Sequence, residues 1–319
     1  MLNMLKPFGG DEEKDFLQDI VNYMTLTEAD EASRERELNE KLKICDILQA
    51  DVDINVNEEL LDKAPNLKYV LCTSVGTDYV DLEAASKRGI IVANNPDFCN
   101  VAVGEFTMAL MYAVMRRIPC GIKAAAGGNW DSRDYLEQTE LFGKTLGIVG
   151  FGKIGRDVAR QAIGIGMKVQ VRKSERNLEA IKNAGAIPVT FEELLKTSDI
   201  ITLHVPMADN TKDLIGEKEF EIMKAKSYLI NVARGGVVDE SALLKNLNNG
   251  KLSGAALDVL VDEPPQPDNP LLNYEGDNLI ITPHIAWFTK EADEKCGNYL
   301  REQVKAIIDN DVLQGIINK

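Results

Sequence analysis

One segment near the middle of the chain constrains the fold more than any other feature. It reads TLGIVGFGKIG from Thr145 to Gly155, an apolar run that leads into Gly-x-Gly-x-x-Gly. The first glycine permits a tight turn, the second lets the backbone approach a pyrophosphate, and the third allows the following helix to pack on the strand. The segment therefore predicts a dinucleotide site at a helix N-terminus. Its expected binding residues are Gly150, Gly152, Lys153, Ile154 and Gly155.

The position of this motif predicts the domain organisation. Nearly half of the 319 residues precede it, so a separate domain must be formed largely from those residues. Short apolar runs alternate with polar helical stretches on both sides of the motif, which is typical of parallel sheets with crossover helices. We predict an α/β protein with two doubly wound parallel-sheet domains, a Rossmann dinucleotide-binding domain inserted in a flavodoxin-like substrate domain.

The expected boundaries follow from a turn-rich break and from the last helix. An Asn-Asn-Pro-Asp turn interrupts the first pattern, and a long amphipathic helix is predicted over residues 289–309. That helix is expected to return to the first domain, because the second sheet is complete before it. The substrate domain is therefore predicted to comprise residues 1–97 and 286–319, and the dinucleotide-binding domain residues 98–285. Within the first domain, residues 13–23 are predicted to form one helix.

Charge and cysteine usage argue against several classes of partner. The chain has 51 acidic and 36 basic residues and a net charge of -15, so we expect no nucleic-acid partner, which would require a basic face. No stretch is apolar and long enough to predict a membrane span. The five cysteines are scattered without CxxC spacing, so neither a disulfide framework nor a metal site is predicted, and a reducing cytoplasm is the expected compartment.

Three polar residues each come a few positions after a predicted strand of the second sheet. They are Arg234, Glu263 and His284. Ligands bind beyond the carboxyl ends of strands in open α/β sheets, so these side chains are expected to converge on the dinucleotide. A histidine can pass a proton to a carbonyl oxygen, a carboxylate on its other ring nitrogen favours imidazolium, and an arginine binds a carboxylate with two parallel hydrogen bonds. The set predicts reduction of a 2-oxoacid, or oxidation of a 2-hydroxyacid in reverse.

Each of these residues also has a structural interpretation when it is taken singly. A histidine after a strand is often structural, and an arginine before two glycines is often a turn residue or a surface ion pair. Glu263 before two prolines could be a solvated loop residue. Their order and their co-occurrence with the glycine motif favour the catalytic interpretation.

With these residues in place, the chain resembles the D-isomer-specific 2-hydroxyacid dehydrogenase family. The resemblance runs from about residue 63 to the C-terminus and is weak in the first sixty residues. Besides the glycine motif, the segments that carry it are SVGTD at 74–78, GNW at 128–130, HVP at 204–206, NVARGGVVDE at 231–240, ALDV at 256–259 and TPH at 282–284.

The resemblance implies roles for individual residues. Arg234 would bind the substrate carboxylate, Glu263 would pair with the histidine, and His284 would be the acid/base. The implied substrate-binding residues are Ser74, Val75, Gly76 and Trp287, with backbone amides of Val75 and Gly76 receiving the carboxylate. The family also implies two domains that close over a cleft, and a homodimer built on the dinucleotide-binding domain.

The same resemblance implies further contacts to the cofactor. The residues concerned are His204, Val205, Pro206, Val232, Ala233 and Asp258. His204 would lie on the cofactor side without a catalytic role. Asp258 would meet the nicotinamide carboxamide, and the alternative for Asp258 is a helix or turn cap.

One departure from the family bears on the choice of cofactor. NAD-type members carry an acidic residue at the end of the strand after the glycine motif, where it holds the ribose 2′-hydroxyl. Here that place reads VRKSER from Val171 to Arg176. The residues suited to a 2′-phosphate, by charge and hydrogen bonding, are Arg172, Lys173, Ser174 and Arg176. We expect NADP(H) to be preferred and NAD(H) to be possible. Open alternatives are a solvated basic turn and a ribose contact from Glu175.

The predicted substrate is a small 2-oxoacid such as glyoxylate or hydroxypyruvate. Trp287 after His284 resembles that branch of the family, where an aromatic ring borders a small pocket; an interdomain packing tryptophan is the alternative. Phosphoglycerate members tend to carry a basic residue just before the carboxylate loop, whereas LCTS at 71–74 is uncharged. Alternative functions are a phosphoglycerate dehydrogenase-type activity, a dinucleotide-sensing corepressor-like protein, and a dehydrogenase of a donor such as formate or phosphite.

Overall fold

A computed structural model describes residues 1–8, 13–131 and 138–318, which form two compact units. One unit comprises Met1–Phe98 and Thr289–Lys319, and the other comprises Cys99–Phe288. A substrate role for one unit and a dinucleotide role for the other stay predictions. No helix in the described ranges combines the length and apolar character that crossing a membrane requires.

Each unit contains one parallel sheet with helices in the connections between strands. The strands are β1 (Asn3–Lys6), β2 (Asn22–Thr25), β3 (Ile47–Ala50), β4 (Tyr69–Cys72), β5 (Ile91–Ala93), β6 (Thr145–Val149), β7 (Lys168–Arg172), β8 (Ile187–Val189), β9 (Ile200–Leu203), β10 (Ser227–Asn231), β11 (Leu252–Leu257) and β12 (Leu279–Ile281). The α-helices are α1 (Lys14–Leu17), α2 (Glu31–Leu42), α3 (Glu58–Asp62), α4 (Leu82–Lys87), α5 (Asn100–Met115), α6 (Ile118–Ala126), α7 (Lys153–Gly164), α8 (Leu178–Asn183), α9 (Phe191–Thr197), α10 (Glu217–Ile222), α11 (Glu240–Asn248) and α12 (Lys290–Asp309). The predicted α/β class with two doubly wound parallel sheets is confirmed.

The first unit has the strand order β2-β1-β3-β4-β5, which is the flavodoxin-like order. Its central strands are buried on both faces, and Leu48, Val70 and Val92 lie in its core. Helices α2, α3 and α4 each begin at a side chain that accepts a hydrogen bond from a backbone N–H three residues further on, which satisfies one unpaired donor of the first turn. These N-cap residues are Asp30, Asn57 and Asp81.

The prediction of one helix over residues 13–23 is wrong in its second half. Helix α1 ends at Leu17, and Asn22–Thr25 instead forms the edge strand β2 beside β1. The Asn22 Nδ2 donates a hydrogen bond to Asn3 Oδ1 at 2.8 Å across this pair. Pairing with β1 depends on residues far along the chain, so tertiary contacts override the local helical pattern.

The second unit has the strand order β12-β11-β10-β9-β6-β7-β8. The chain runs outward from β6 through β7 and β8, then returns to the other side of β6 at β9. The topological switch point therefore lies between β6 and β9, where open α/β sheets bind ligands beyond the carboxyl ends of their strands. Strands β9 and β10 are buried along their whole length, as central strands of a sheet covered on both faces should be.

Candidate active site

The ends of five strands of the second sheet lie side by side. Across β6, β9, β10, β11 and β12, the successive register partners are Val149, Leu203, Asn231, Leu257 and Ile281. The residue after each of these begins a loop at the same edge of the sheet. Those residues are Gly150, His204, Val232, Asp258 and Thr282. The register therefore brings the glycine motif to the same edge as the loops that carry the predicted catalytic residues.

The glycine motif has the geometry that a dinucleotide requires. Gly150 has a φ of +103°, and a Cβ added there would overlap the carbonyl oxygen of His204. A Cβ at Gly155 would overlap the carbonyl oxygen of Gly150, so α7 packs directly on the turn. At Gly152, the N-cap of α7, an added Cβ would meet no atom of the described chain within 4 Å, and no described side chain caps the helix. The space beside the Gly152 Cα at the start of α7 is thus open, as an approaching pyrophosphate requires.

The turn after β7 presents exposed polar and basic side chains. Arg172 ends β7, and its guanidinium carbon lies 4.6 Å from the ring centroid of Phe191. The Asn177 side chain accepts a hydrogen bond from the Ser174 N–H at 2.7 Å and donates one to the Arg172 carbonyl oxygen at 3.3 Å. The exposed residues of the turn are Lys173, Ser174, Glu175 and Arg176. The backbone of the turn is therefore shaped by Asn177, and its charged side chains point to solvent.

His204 is held next to the glycine motif as a neutral group. Its Nε2 lies 2.7 Å from Thr202 Oγ1, and its backbone N–H donates to the Val149 carbonyl oxygen at 2.7 Å. Although the residue keeps some exposure, desolvation of the ring lowers the pKa of His204 to about 3. The ring is therefore uncharged at neutral pH, which suits a structural or cofactor-side role better than proton transfer. The adjacent Val205 is half-buried and Pro206 is exposed.

His284 and Glu263 form a hydrogen-bonded pair. The His284 Nδ1 lies 2.6 Å from Glu263 Oε2, and Glu263 Oε1 accepts a hydrogen bond from the Leu260 N–H at 2.8 Å. Arg234 is close enough for its charge to lower the pKa of both partners, and its Nη1 donates to the Ala233 carbonyl oxygen at 2.8 Å. The structure therefore brings together the three residues that the sequence singled out.

The pair shifts the pKa values of its two members in opposite directions. The hydrogen bond to Glu263 is the largest influence on His284 and raises its pKa above the ordinary value, against partial burial and the charge of Arg234. Burial opposes ionisation of Glu263, but the hydrogen bonds and positive charges around it lower its pKa below the usual value. His284 is therefore held toward the imidazolium form, which can donate a proton from its other ring nitrogen.

A buried carboxylate, Asp258, holds the loop that carries His284. Its Oδ1 accepts hydrogen bonds from Thr282 Oγ1 at 2.5 Å and from the Ile285 N–H at 3.0 Å, and its Oδ2 accepts one from the Ala286 N–H at 2.8 Å. His284 has a left-handed φ of +54°. A non-glycine residue pays roughly 1–2 kcal/mol for that conformation, which the surrounding hydrogen bonds offset. These are the contacts expected of the turn-capping alternative; a contact from Asp258 to the cofactor stays a prediction.

The predicted substrate loop follows β4 in the first unit. The Ser74 Oγ donates to the Gly76 carbonyl oxygen at 2.7 Å, and the Asn94 Nδ2 donates to the Val75 carbonyl oxygen at 2.7 Å. Within the described residues, neither the Val75 N–H nor the Gly76 N–H has an acceptor. Hydrogen bonds to its carbonyl oxygens therefore hold the loop backbone in place. The N–H groups of Val75 and Gly76 stay available for an anion such as a carboxylate.

Three further side chains contact residues of the predicted site, and no sequence pattern had assigned them a role. The Tyr79 hydroxyl lies 2.7 Å from Ser74 Oγ, the Thr282 hydroxyl bonds Asp258, and the Phe191 ring lies under Arg172. Their partners lie five to 24 positions away along the chain, so no short-range pattern marks them.

The predicted substrate residue Trp287 is half-buried and packs edge-to-face on Phe288, with ring centroids 5.0 Å apart.

Comparison with known proteins provides independent evidence. Residues 108–286 match the family model described as D-isomer specific 2-hydroxyacid dehydrogenase, NAD binding domain. The chain is 40% identical over 283 residues to D-3-phosphoglycerate dehydrogenase of Methanocaldococcus jannaschii, a match that covers 88% of this chain and 53% of that protein. It is 39% identical over 288 residues to glyoxylate reductase of Thermococcus litoralis, covering 88% of this chain and 86% of that protein. The chain thus spans about half the length of the first relative and most of the second.

A solved structure supports the same relationship over nearly the whole chain. D-lactate dehydrogenase from Aquifex aeolicus, in a complex with NAD and lactic acid, is 31% identical to this chain. The two structures superpose with a TM-score of 0.86, covering 97% of this chain and 96% of that one.

Proposed function

Because this chain belongs to the D-isomer specific 2-hydroxyacid dehydrogenase family, we propose that it reduces a small 2-oxoacid to the D-2-hydroxyacid. The observation that carries the proposal is the His284–Glu263 pair, with 2.6 Å between Nδ1 and Oε2. The pair belongs to the sheet edge that also carries the open glycine turn at Gly152. A histidine held protonated at such an edge is suited to protonate a carbonyl oxygen.

The residues at this sheet edge have separate roles in the proposed reaction. A bound nicotinamide cofactor supplies the hydride that reaches the carbonyl carbon. His284 donates a proton from Nε2 to the carbonyl oxygen, and Glu263 stabilises the imidazolium and orients the ring through Nδ1. Arg234 binds the substrate carboxylate and polarises the neighbouring carbonyl. Ser74, Val75 and Gly76 are proposed as further substrate-binding residues, because the N–H groups of Val75 and Gly76 have no acceptor among the described residues.

NADP(H) is proposed as the preferred cofactor. The end of β7 and the turn after it carry Arg172, Lys173 and Arg176, and the one acidic residue of this turn, Glu175, is exposed. Such guanidinium and ammonium groups bind a 2′-phosphate through charge-assisted hydrogen bonds, whereas a ribose 2′-hydroxyl carries no charge for them to pair with. NAD(H) use is the alternative, and in that case the basic residues are solvated.

The proposed substrate is glyoxylate or hydroxypyruvate. The relative from Thermococcus litoralis is a glyoxylate reductase and is matched over most of its length. Trp287, three residues after His284, is proposed to border a small substrate pocket. A phosphoglycerate dehydrogenase-type activity is the second candidate, because the relative from Methanocaldococcus jannaschii bears that name at similar identity.

Turnover by the purified protein tests these proposals directly. Oxidation of NADPH and NADH is followed by absorbance with glyoxylate, hydroxypyruvate, pyruvate and phosphohydroxypyruvate. Faster turnover with NADPH on glyoxylate or hydroxypyruvate is the expected result. A preference for NADH would overturn the cofactor proposal, and a preference for phosphohydroxypyruvate would favour the second candidate. Nucleotide binding without turnover of any acid would favour a dinucleotide-sensing protein.

We also propose that the protein forms a homodimer and is located in a reducing compartment. Several apolar side chains of the second unit are strongly exposed, and four of them are proposed to contribute to the dimer interface. They are Ile118 and Ile122 at 46% and 66%, Trp130 at 86%, and Phe142 at 75% exposure. All five cysteines are free thiols, which supports the cytoplasm as the compartment. Light scattering after size-exclusion chromatography of the wild type and of Ile122→Glu tests the dimer; a monomeric wild type would overturn it.

A further inference from the structure

The carboxylate of Asp51 is fixed beside the substrate loop, Ser74–Gly76. Ala50 and Cys72 are register partners at the ends of β3 and β4, so the residues that follow them, Asp51 and Thr73, lie side by side. The Asp51 Oδ2 accepts a hydrogen bond from Thr73 Oγ1 at 2.7 Å. Asp51 thus contacts the residue that immediately precedes the substrate loop.

A second bridge ties the same strand end to the loop. The Tyr79 hydroxyl lies 2.7 Å from Ser74 Oγ and donates to the Ala50 carbonyl oxygen at 3.2 Å. The Asp51 Oδ1 accepts a hydrogen bond from the Val52 N–H at 2.8 Å, so both carboxylate oxygens are engaged. The negative charge is therefore held in place and cannot swing away from the loop at little cost.

Three loops at the strand edge that carries Asp51 lack positive charge. The loops that follow β3, β4 and β5, at residues 51–57, 73–81 and 94–99, contain no lysine or arginine. Asp51 is only half-exposed. Interactions between charges are screened over roughly 8 Å at physiological ionic strength, and partly buried charges are screened less. A second anion bound beside the loops that follow β3 and β4 would therefore meet the negative charge of Asp51 and no lysine or arginine of those loops.

We propose that Asp51 is a specificity-determining residue that disfavours 2-oxoacids bearing a second negative charge, such as a phosphate. The inference rests on the proposed function, in which the N–H groups of Val75 and Gly76 receive the substrate carboxylate. A three-carbon acid bound there is short, so its far end stays close to this strand edge. A hydroxyl at that end, as in hydroxypyruvate, is uncharged and tolerated, whereas a phosphate is repelled. The substrate class is therefore an unphosphorylated 2-oxoacid.

Three variants separate the charge of Asp51 from its hydrogen bond. Asp51→Asn removes the charge and keeps an oxygen that can accept from Thr73. Thr73→Val removes the hydrogen bond and keeps the charge. Asp53→Asn makes the same charge change at an exposed residue of the same loop and serves as the matched control. For each protein, kcat/KM is measured with hydroxypyruvate and with phosphohydroxypyruvate at saturating NADPH, and circular dichroism and Tm check folding.

The expected readout is the ratio of the two kcat/KM values. The wild type favours hydroxypyruvate, and Asp51→Asn lowers this preference on the order of tenfold, mainly by improving use of phosphohydroxypyruvate. Asp53→Asn leaves the ratio within about twofold of the wild type, and Thr73→Val, which keeps the charge but frees one carboxylate oxygen, lowers the preference less than Asp51→Asn does. An unchanged ratio in a folded Asp51→Asn protein would overturn the inference while leaving the proposed function intact. No turnover of these two acids or of glyoxylate by the wild type would overturn both.

Discussion

His284 Nδ1 and Glu263 Oε2 lie 2.6 Å apart, although the two residues are 21 positions apart in the chain. The carboxylate is itself held by the Leu260 N–H through its other oxygen. Nδ1 of His284 is therefore hydrogen-bonded to an ordered carboxylate, which stabilises the imidazolium form and raises the pKa of His284. This relationship determines when the histidine can donate a proton, so it predicts how activity depends on pH.

Replacing Glu263 with Gln is expected to move the alkaline limb of the pH profile for 2-oxoacid reduction to lower pH. Glu263 raises the pKa of His284, and proton donation requires the protonated ring, so activity falls as pH rises through that pKa. Without the carboxylate the pKa drops and the fall begins at lower pH. The profile of kcat/KM against pH measures this, with the exposed Asp262→Asn as control. An alkaline limb that does not move would contradict the assigned pairing.

His284→Ala is expected to lower turnover by roughly 10²–10⁴-fold, the usual contribution of a general acid. Binding of NADPH, followed by its fluorescence, should change little, because the predicted cofactor contacts come from other residues. Retention of turnover within tenfold of the wild type would remove His284 from the mechanism.

The first two glycines of the motif should respond differently to alanine. Gly150→Ala is expected to destabilise the fold by ~1–3 kcal/mol, since φ is +103° and the new Cβ would overlap the backbone at His204. Gly152→Ala should keep the Tm, because its Cβ meets no described atom within 4 Å. The same methyl group would occupy the space needed by a pyrophosphate and raise the dinucleotide Kd on the order of tenfold. Thermal melts and Kd values for both variants check this; unchanged dinucleotide affinity in Gly152→Ala would contradict the site.

Arg172→Ser should raise the KM for NADPH by about tenfold and leave the KM for NADH nearly unchanged. The guanidinium lies over the Phe191 ring at the end of β7, where a 2′-phosphate is expected. Lys182→Ser, at an exposed position on α8, is the matched loss of positive charge. Equal effects on both cofactors would mean that Arg172 contributes to stability and not to cofactor choice.

Asp258→Asn distinguishes the two roles considered for this residue. If Asp258 acts by holding the His284 loop, the variant should lose ~1–3 kcal/mol of stability, because an amide cannot accept all three hydrogen bonds. The kcat should then fall with little change in the KM for NADPH. A raised KM for NADPH at unchanged Tm would instead indicate a direct contact with the nicotinamide.

Local patterns along the chain predicted the fold class and the candidate catalytic residues. The glycine motif is recognised within eleven residues, and Arg234, Glu263 and His284 each lie a few positions after a strand. The helix over residues 13–23 was predicted from a local pattern too and was wrong after Leu17, because pairing of Asn22–Thr25 with β1 is a long-range contact.

The sequence by itself determined two parallel sheets, a dinucleotide turn and the order in which polar groups follow the strands, because periodicity and glycine spacing act over short stretches of chain. Only the tertiary structure decided which groups meet. The register that aligns Val149, Leu203 and Leu257, the left-handed φ of His284, and the hydrogen bonds of Asp258 depend on strands and loops that are distant in the chain. Such contacts form only when the sheet is assembled, so no local pattern encodes them.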